Sequence, residues 1–228
     1  MVATIVSSAN RLSSMRIGLV GPGKVGKGLA DRWVKRGHEI LFSFSRSEEK
    51  LRGYAAEYGE LGHWGTPRDA VEFGEATVLC CKWEQTQEAV DAMGDLAGKT
   101  LIETVNTFQD DGTIAIGHST SVAEEISHMA EGALVVPAFN SIPATLLAQP
   151  EDVFGETKAA VFYCGDDPGA KATARQLIQD AGFEPVDVGA LKSARLIEPF
   201  AMLTVQAAIN QKIRNIGFSM LRPRDSAS

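Results

Sequence analysis

Apolar and polar positions along this chain follow two rhythms. Short, almost fully apolar runs stop at glycine or at a polar cluster near residues 16–20, 39–44, 76–81, 100–105, 133–137, 159–164 and 184–188. Runs of that length and character read as strands buried on both faces. Between them lie stretches with apolar residues three and four apart. Residues 26–36 carry Leu29, Ala30, Trp33 and Val34 at helical spacing, and Gly37 follows as a stop. Residues 47–58, 84–93 and 168–181 read as further helices, the last with Pro168 in its first turn. Ser121-Val-Ala-Glu124 has the form of a capping box opening a helix to about residue 130. Residues 61–65 read as a weak strand, 143–155 as a loop or short helix, and 191–218 as one long, mostly apolar helix. That last helix is too apolar to stand in water alone. It packs under the sheet or buries a face against a second subunit.

Strands alternating with helices predict βαβ units. The expected fold class is α/β, a Rossmann-type, doubly wound parallel sheet with a small C-terminal α/β-helical lobe. The expected organisation is a disordered leader at 1–14, a nucleotide-binding domain at 15–155 and the small lobe at 156–228, whose long helix is a candidate dimer interface. Residues 1–14 are polar and Ser-rich with no apolar core, so they do not read as a secretory signal, and Met15 is a candidate true start.

Composition narrows the function. With 228 residues and a net charge of −7, the chain suits one sizeable core and disfavours nucleic acid as a partner. No apolar run approaches the ~20 residues of a membrane-spanning helix. Three cysteines, Cys80, Cys81 and Cys164, form no C-x-x-C pair, and the four histidines lack metal-ligand spacing. The expectation is a cytoplasmic protein, in a reducing compartment, without a metal site.

The chemistry-bearing motif is Gly21-Pro22-Gly23-Lys24-Val25-Gly26, between the first strand and the first helix. The first glycine permits the tight turn and the second lets a pyrophosphate approach the backbone. The third lets helix pack on strand, and the helix N-terminus offers N–H groups to the anion. An NAD site usually ends the second strand with a carboxylate that holds the ribose 2′-hydroxyl. Here the strand runs into Ser43-Phe44-Ser45-Arg46-Ser47, with no carboxylate before Glu48. Arg46 offers a fork of donors to a phosphate, Ser45 and Ser47 add hydroxyls, and Lys50 lies one turn on. NADP(H) is the expected cofactor.

Other strand ends carry the remaining candidates, because ligands of such sheets bind outside the carboxyl ends of the strands. Cys80-Cys81-Lys82-Trp83 follows the fourth strand, with Cys81, Lys82 and the Trp83 ring expected against the cofactor. Asn106, after Thr104-Val105, is a candidate for its ribose or amide. Pro137-Ala138-Phe139-Asn140-Ser141-Ile142-Pro143 closes the sixth strand, where nicotinamide and hydride partner should meet. Pro137 and Ala138 are assigned to the cofactor. Asn140 and Ser141 are assigned to a polar substrate, and Phe139 or Ile142 to walling off a ring face. No nucleophilic triad is visible, and His118 and His128 read as surface residues. A hydride exchange needs positioning more than proton chemistry.

Four segments, GPGKVGKGLA, FSFSRS, STSVAEEI with VVPAFNSIPA, and DVGALKSARLIEP, together resemble the NADP oxidoreductases that depend on the deazaflavin coenzyme F-420. The resemblance runs from about residue 15 to residue 218. It implies a Rossmann domain with a small C-terminal lobe, NADP specificity through Ser45-Arg46, a homodimer, and hydride transfer between NADP(H) and the deazaflavin in a cleft between the lobes. It also assigns Leu191, Arg195 and Glu198 to the start of the last helix. A basic cleft would favour the deazaflavin, whose tail carries phosphate and glutamates, and Lys192, Arg195 and Lys82 are the candidates for that charge. The sequence departs from that family at two positions, with Asn140 in place of His and Lys82 in place of Pro. Asn cannot titrate near neutral pH. Two alternatives therefore stand beside the deazaflavin: an NADPH-dependent reductase of another small acceptor (flavin, imine, carbonyl or metal chelate), and a non-catalytic NADP-sensing binding protein.

Overall fold

The computed structural model describes residues 14–109, 111–117 and 119–223. The expectation for the leader at 1–14 lies outside the described residues except at Ser14, and that for His118 lies outside them. Six strands form one parallel sheet: β1 (Arg16–Val20), β2 (Glu39–Ser43), β3 (Gly62–Trp64), β4 (Ala76–Leu79), β5 (Thr100–Glu103) and β6 (Leu134–Pro137). Their spatial order is β3-β2-β1-β4-β5-β6, with the reversal of winding between β1 and β4. Two further strands, β7 (Ala160–Tyr163) and β8 (Glu184–Asp187), pair with each other in a separate parallel sheet.

The helices are α1 (Lys24–Val34), α2 (Glu48–Glu57), α3 (Pro67–Phe73), α4 (Thr86–Met93), α5 (Val122–Met129), α6 (Ala144–Leu147), α7 (Pro168–Asp180) and α8 (Ala194–Gln211). Local chemistry starts several of them. The Ser47 hydroxyl accepts the Lys50 N–H of α2 at 3.2 Å, and the Asp167 carboxylate accepts the Ala170 N–H of α7 at 2.7 Å. Before α3, Thr66 and Asp69 cap each other reciprocally, with Pro67 in the first turn. That short helix was not anticipated from the sequence, although Thr66-Pro67-x-Asp69 announces it.

Two apolar clusters sandwich the main sheet. One joins Ile17, Leu29, Trp33 and Phe42 to Phe139, Val161 and Leu177. The other joins Val20, Leu79, Leu101 and Ile126 to Cys164 and Ile197. Both run between the main sheet and the C-terminal segment. Polar bonds reinforce the join: the indole N–H of Trp33 donates to Leu177 O at 2.8 Å. The buried Arg32 guanidinium donates to the carbonyls of Leu146, Leu147, Gln149 and Ala181.

The long C-terminal helix is shorter than expected. It begins at Ala194 after a 3-10 turn over Leu191–Ser193 and ends at Gln211, where Lys212 turns left-handed with φ +54°. The tail then runs back beside β7, and Phe218 O accepts the Ala160 N–H at 2.6 Å. The Phe218 carbonyl thereby finds a partner on the edge of β7. No helix among the described residues is long and apolar enough to cross a membrane.

Candidate functional site

The loop after β1 shows three glycines doing three different jobs. Gly21 sits at φ +80°, and a Cβ there would lie 2.8 Å from Cys81 Cβ. A Cβ on Gly26 would lie 2.7 Å from Leu19 Cδ2, so α1 packs directly on β1. A Cβ on Gly23 would meet nothing in the chain closer than Gly21 O at 4.0 Å. The second glycine is therefore not required by the protein's own packing. Its open side belongs to a cavity of about 640 Å³, lined by Gly21, Pro22, Gly23, Ser45, Arg46, Lys50, Cys81 and Lys82. Gly23 is also the N-cap of α1, with no side chain capping it and no acidic residue in the first turn. That geometry leaves helix N–H groups and the positive end of the helix for an anion, so the loop fits a dinucleotide pyrophosphate.

Strand β2 delivers the second element. Phe44, immediately after it, takes the left-handed conformation at φ +59°, and Ser45, Arg46 and Lys50 follow on the exposed rim. Phe139 does the same after β6 at φ +65°. Non-glycine residues in this region carry strain that marks places where the chain must be re-aimed. The Ser45 hydroxyl accepts the Ser47 N–H at 3.2 Å, which leaves its own O–H to donate. Arg46 enters no ion pair among the described residues, and it lines both the 640 Å³ cavity and an adjoining one of about 620 Å³ that reaches Trp64, Asp69 and Gln85. Lys50 borders the first cavity while its ammonium rests 5.4 Å from the Tyr54 ring centre.

The other end of the site is an apolar groove of about 360 Å³ between the sheet and α8. Val25, Asn106, Asn140, Ser141 and Ile142 line one side, with Ala201, Val205 and Ile209 of α8 opposite. Beneath it stands Glu103, the last residue of β5 and wholly buried. One of its oxygens accepts the Val105 N–H at 2.7 Å, and the other faces Asn140 Nδ2 at 3.4 Å. Burial, and secondarily the charge of Glu198, push its carboxyl up to about 8. Sequence reasoning passed over Glu103, although a single carboxylate inside Leu101-Ile102-Glu103-Thr104 was the available signal.

Several expectations need correcting. Phe139 walls off no ring: it is buried edge-on between Trp33 and Phe183, at centroid distances of 6.1 and 6.3 Å. Ala138 lies in the core with its N–H on Glu103 O, and Pro137 is buried in register with Glu103, so neither borders the phosphate cavity or the groove. The Trp83 ring packs on the second apolar cluster while its neighbours Lys82, Glu84 and Gln85 border the phosphate cavity. Arg195 turns away from the groove and clamps Glu124, at 2.8 and 2.7 Å. The Glu124 carboxylate accepts from Arg195 and from the Ser121 hydroxyl, and Ser121 caps the Glu124 N–H. The Val122 and Ala123 N–H groups of α5 are taken instead by Glu198 of α8, at 2.9 and 3.2 Å. Burial pushes that carboxyl up to about 7. Leu191 packs on the second cluster. His128 is exposed, as expected.

Burial also pushes the Cys80 and Cys164 thiols up to about 12 and raises Cys81. None of them presents a thiolate near neutral pH, so the site offers no sulfur nucleophile.

Comparison with known proteins agrees with this geometry. Residues 16–107 match the family described as NADP oxidoreductase, coenzyme F420-dependent. The chain is 28% identical over 215 residues to the F420-dependent NADP reductase of Methanothermobacter marburgensis, covering 87% of this chain and 94% of that one. It is 29% identical over 184 residues to the metalloreductase STEAP3 of Rattus norvegicus, covering 80% of this chain but 36% of that protein, so it spans about a third of that relative's length. The fold superposes with a TM-score of 0.80 and 24% identity on an Arthrobacter protein provisionally described as an F420-dependent NADP-reductase, covering 92% of this chain and all of that one. The match over residues 16–107 and the relatives of both kinds make this chain similar to NADP-dependent oxidoreductases, the coenzyme F420-dependent family among them.

Proposed function

We propose that this chain transfers a hydride between NADP(H) and a deazaflavin of the coenzyme F-420 type. The observation that carries the reading is the pairing of two features. A helix N-terminus opens onto a cavity through Gly23, and the rim of that cavity carries Ser45, Arg46 and Lys50 where a carboxylate would select NAD. Bound NADPH supplies the hydride from its nicotinamide ring. Gly21–Gly26 and the α1 N-terminus hold the pyrophosphate, Arg46 and Ser45 hold the 2′-phosphate, and Lys82 borders the same cavity. The groove at Asn106, Asn140, Ser141 and Ile142 continues from the loop residue Val25 and takes the reacting rings, shielded from water by α8. A relative matched along 94% of its length is an F420-dependent NADP reductase, which favours the deazaflavin.

A second reading keeps NADPH and changes the acceptor. Asn140 is buried and cannot donate a proton by titrating, and metalloreductases are among the relatives. An acceptor that takes electrons without a protein proton donor, such as a flavin or a metal chelate, fits that residue equally. In either reading we place the protein in the cytoplasm as a homodimer joined through α8, whose Leu196, Leu203 and Ile209 are exposed.

The test is NADPH oxidation followed at 340 nm with oxidised coenzyme F-420, against flavin, a ferric chelate and NADH. Turnover with NADPH and the deazaflavin is the expected result. Turnover with flavin or chelate alone selects the second reading. Tight NADPH binding with none of these acceptors reduced refutes both readings and leaves imine and carbonyl compounds as the acceptors to try.

A further inference from the structure

Helix α8 carries Pro199 in its interior. Proline has no N–H to give the Arg195 carbonyl, and its ring crowds that carbonyl, so the helix bends most easily there. At the far end Lys212, which is not a glycine, turns left-handed at φ +54°. Two backbone irregularities therefore bracket residues 200–211.

The two sides of Pro199 are held very differently. Before it, Glu198 accepts the Val122 and Ala123 N–H groups, Arg195 clamps Glu124 through two bonds, and Ala194 and Ile197 are buried. After it, among the described residues, one hydrogen bond ties 200–211 to another part of the chain, from Gln206 Nε2 to Gly112 O at a long 3.4 Å. Phe200 meets Phe162 and Phe218 edge-on, at centroid distances of 5.1 and 4.9 Å, and so forms a pivot next to the proline. Beyond Thr204 no residue of α8 is buried. The chain is fastened again past Lys212, where the Thr145 hydroxyl donates to the Arg214 carbonyl at 2.9 Å and Phe218 O accepts the Ala160 N–H. Residues 200–211 are a strap, fixed at both ends and weakly held between them.

That strap is one wall of the groove. Ala201, Thr204, Val205 and Ala208 line it, and their small side chains expose little apolar surface when the wall lifts. At about 360 Å³ the groove lies near the lower limit for a single small ligand, about 300–1,000 Å³. Hydride transfer needs two ring systems face to face.

We infer that residues 200–211 are a gate. The strap swings about Pro199 and Lys212, lifts from the sheet side of the groove to admit the second ring system, and closes over both rings to exclude water. This rests on the reading of the groove as the place of hydride transfer. The swing carries the outward Leu203 and Ile209 with it, so a dimer joined through α8 opens both grooves together.

The test is thiol labelling of the whole protein with iodoacetamide, read at each cysteine by peptide mass spectrometry. Thr204→Cys puts a thiol of similar size on the groove wall. Native Cys164, buried beside the turn that leads into α8, reports general unfolding. The Thr204→Cys thiol should label about tenfold or more faster than Cys164 in the free protein. Adding Pro199→Ala restores the missing helix bond and should slow that labelling about tenfold, with Cys164 unchanged. NADP⁺ with oxidised coenzyme F-420 or with lumiflavin, pairs that cannot react, should slow it as well, whereas adenosine 2′,5′-bisphosphate, which lacks the nicotinamide half, should not. Labelling of Thr204→Cys no faster than Cys164, or unmoved by Pro199→Ala, overturns the gate whatever the groove binds. Labelling that Pro199→Ala slows and neither pair slows leaves the hinge in place and overturns the groove as the site of hydride transfer, and with it the gate's role.

Discussion

Replacing Gly23 by Ala separates ligand binding from folding more cleanly than any other change in the site. The new Cβ would have no protein atom nearer than Gly21 O at 4.0 Å, and the residue's φ of −75° is ordinary for an L-amino acid. Two small effects on stability oppose each other. Ala restricts the unfolded chain, a gain of about 0.4–1 kcal/mol, but is a poorer helix N-cap than Gly by a similar amount. The net change is about 0.5 kcal/mol or less in either direction, a shift in Tm of about 2 °C at most for a chain of this size. The same methyl points into the phosphate cavity. Displacing one charge-assisted N–H contact there costs about 2 kcal/mol, or about 30-fold in the Kd for NADPH. Gly26→Ala is the contrast, because its Cβ would stand 2.7 Å from Leu19 Cδ2, and overpacking of that kind costs about 1–3 kcal/mol of stability. Differential scanning calorimetry and NADPH fluorescence titration on the two variants make the comparison. A Gly23→Ala protein that melts well below the wild type, or binds NADPH as tightly, refutes the assignment of this loop to the pyrophosphate.

Other outcomes follow from particular contacts. Arg46→Ala should weaken NADPH about 30-fold and leave NADH nearly unchanged by titration, since the guanidinium is exposed and makes no ion pair among the described residues; equal losses on both would remove Arg46 from the 2′-phosphate. Arg32→Met leaves four carbonyls without their shared buried donor and should cost about 3–5 kcal/mol, lowering Tm by about 10 °C. Glu103 ionises near 4.5 when unfolded and near 8 when folded, so the folded state holds the extra proton between those values and stability falls as pH rises through that window. Glu103→Gln should flatten urea midpoints measured from pH 5 to 8, and an unchanged slope would contradict the assignment. Leu196→Glu with Leu203→Glu should convert a dimer to a monomer by light scattering, whereas a monomeric wild type would remove α8 from any interface.

The order of strands and helices was legible because each is encoded within its own few residues. Arg16–Val20 is a strand at the expected bounds, since an apolar run that stops at glycine has little alternative between two neighbouring strands. The ends of longer elements were less legible. Nothing local in residues 212–218 says that their backbone will pair with β7, because the partner lies more than fifty residues away. The apolar pattern of 191–218 continues past Gln211, but the chain leaves the helix at Lys212 and Phe218 meets β7.

The same distinction divides the site. Its phosphate end is built from two continuous pieces of chain, Gly21–Gly26 and Ser45–Lys50, whose chemistry is visible in the residues themselves. Its reacting end is assembled from β5, β6 and α8, and there residue type did not determine direction. Arg195 looked like a charge for the substrate, yet its guanidinium meets Glu124 across two helices; Phe139 looked like a wall, yet a left-handed turn sends it into the core. What that turn leaves at the groove is Asn140, tied to Val105 and facing Glu103. An Asn held this way cannot titrate, so it can orient a ring but cannot deliver a proton to it. Any proton needed by the acceptor must come from solvent or from the acceptor itself. A rate that carries no ionisation of residue 140 itself, only those of the buried Glu103 and Glu198 near 8 and 7, is therefore the behaviour this groove requires of its enzyme.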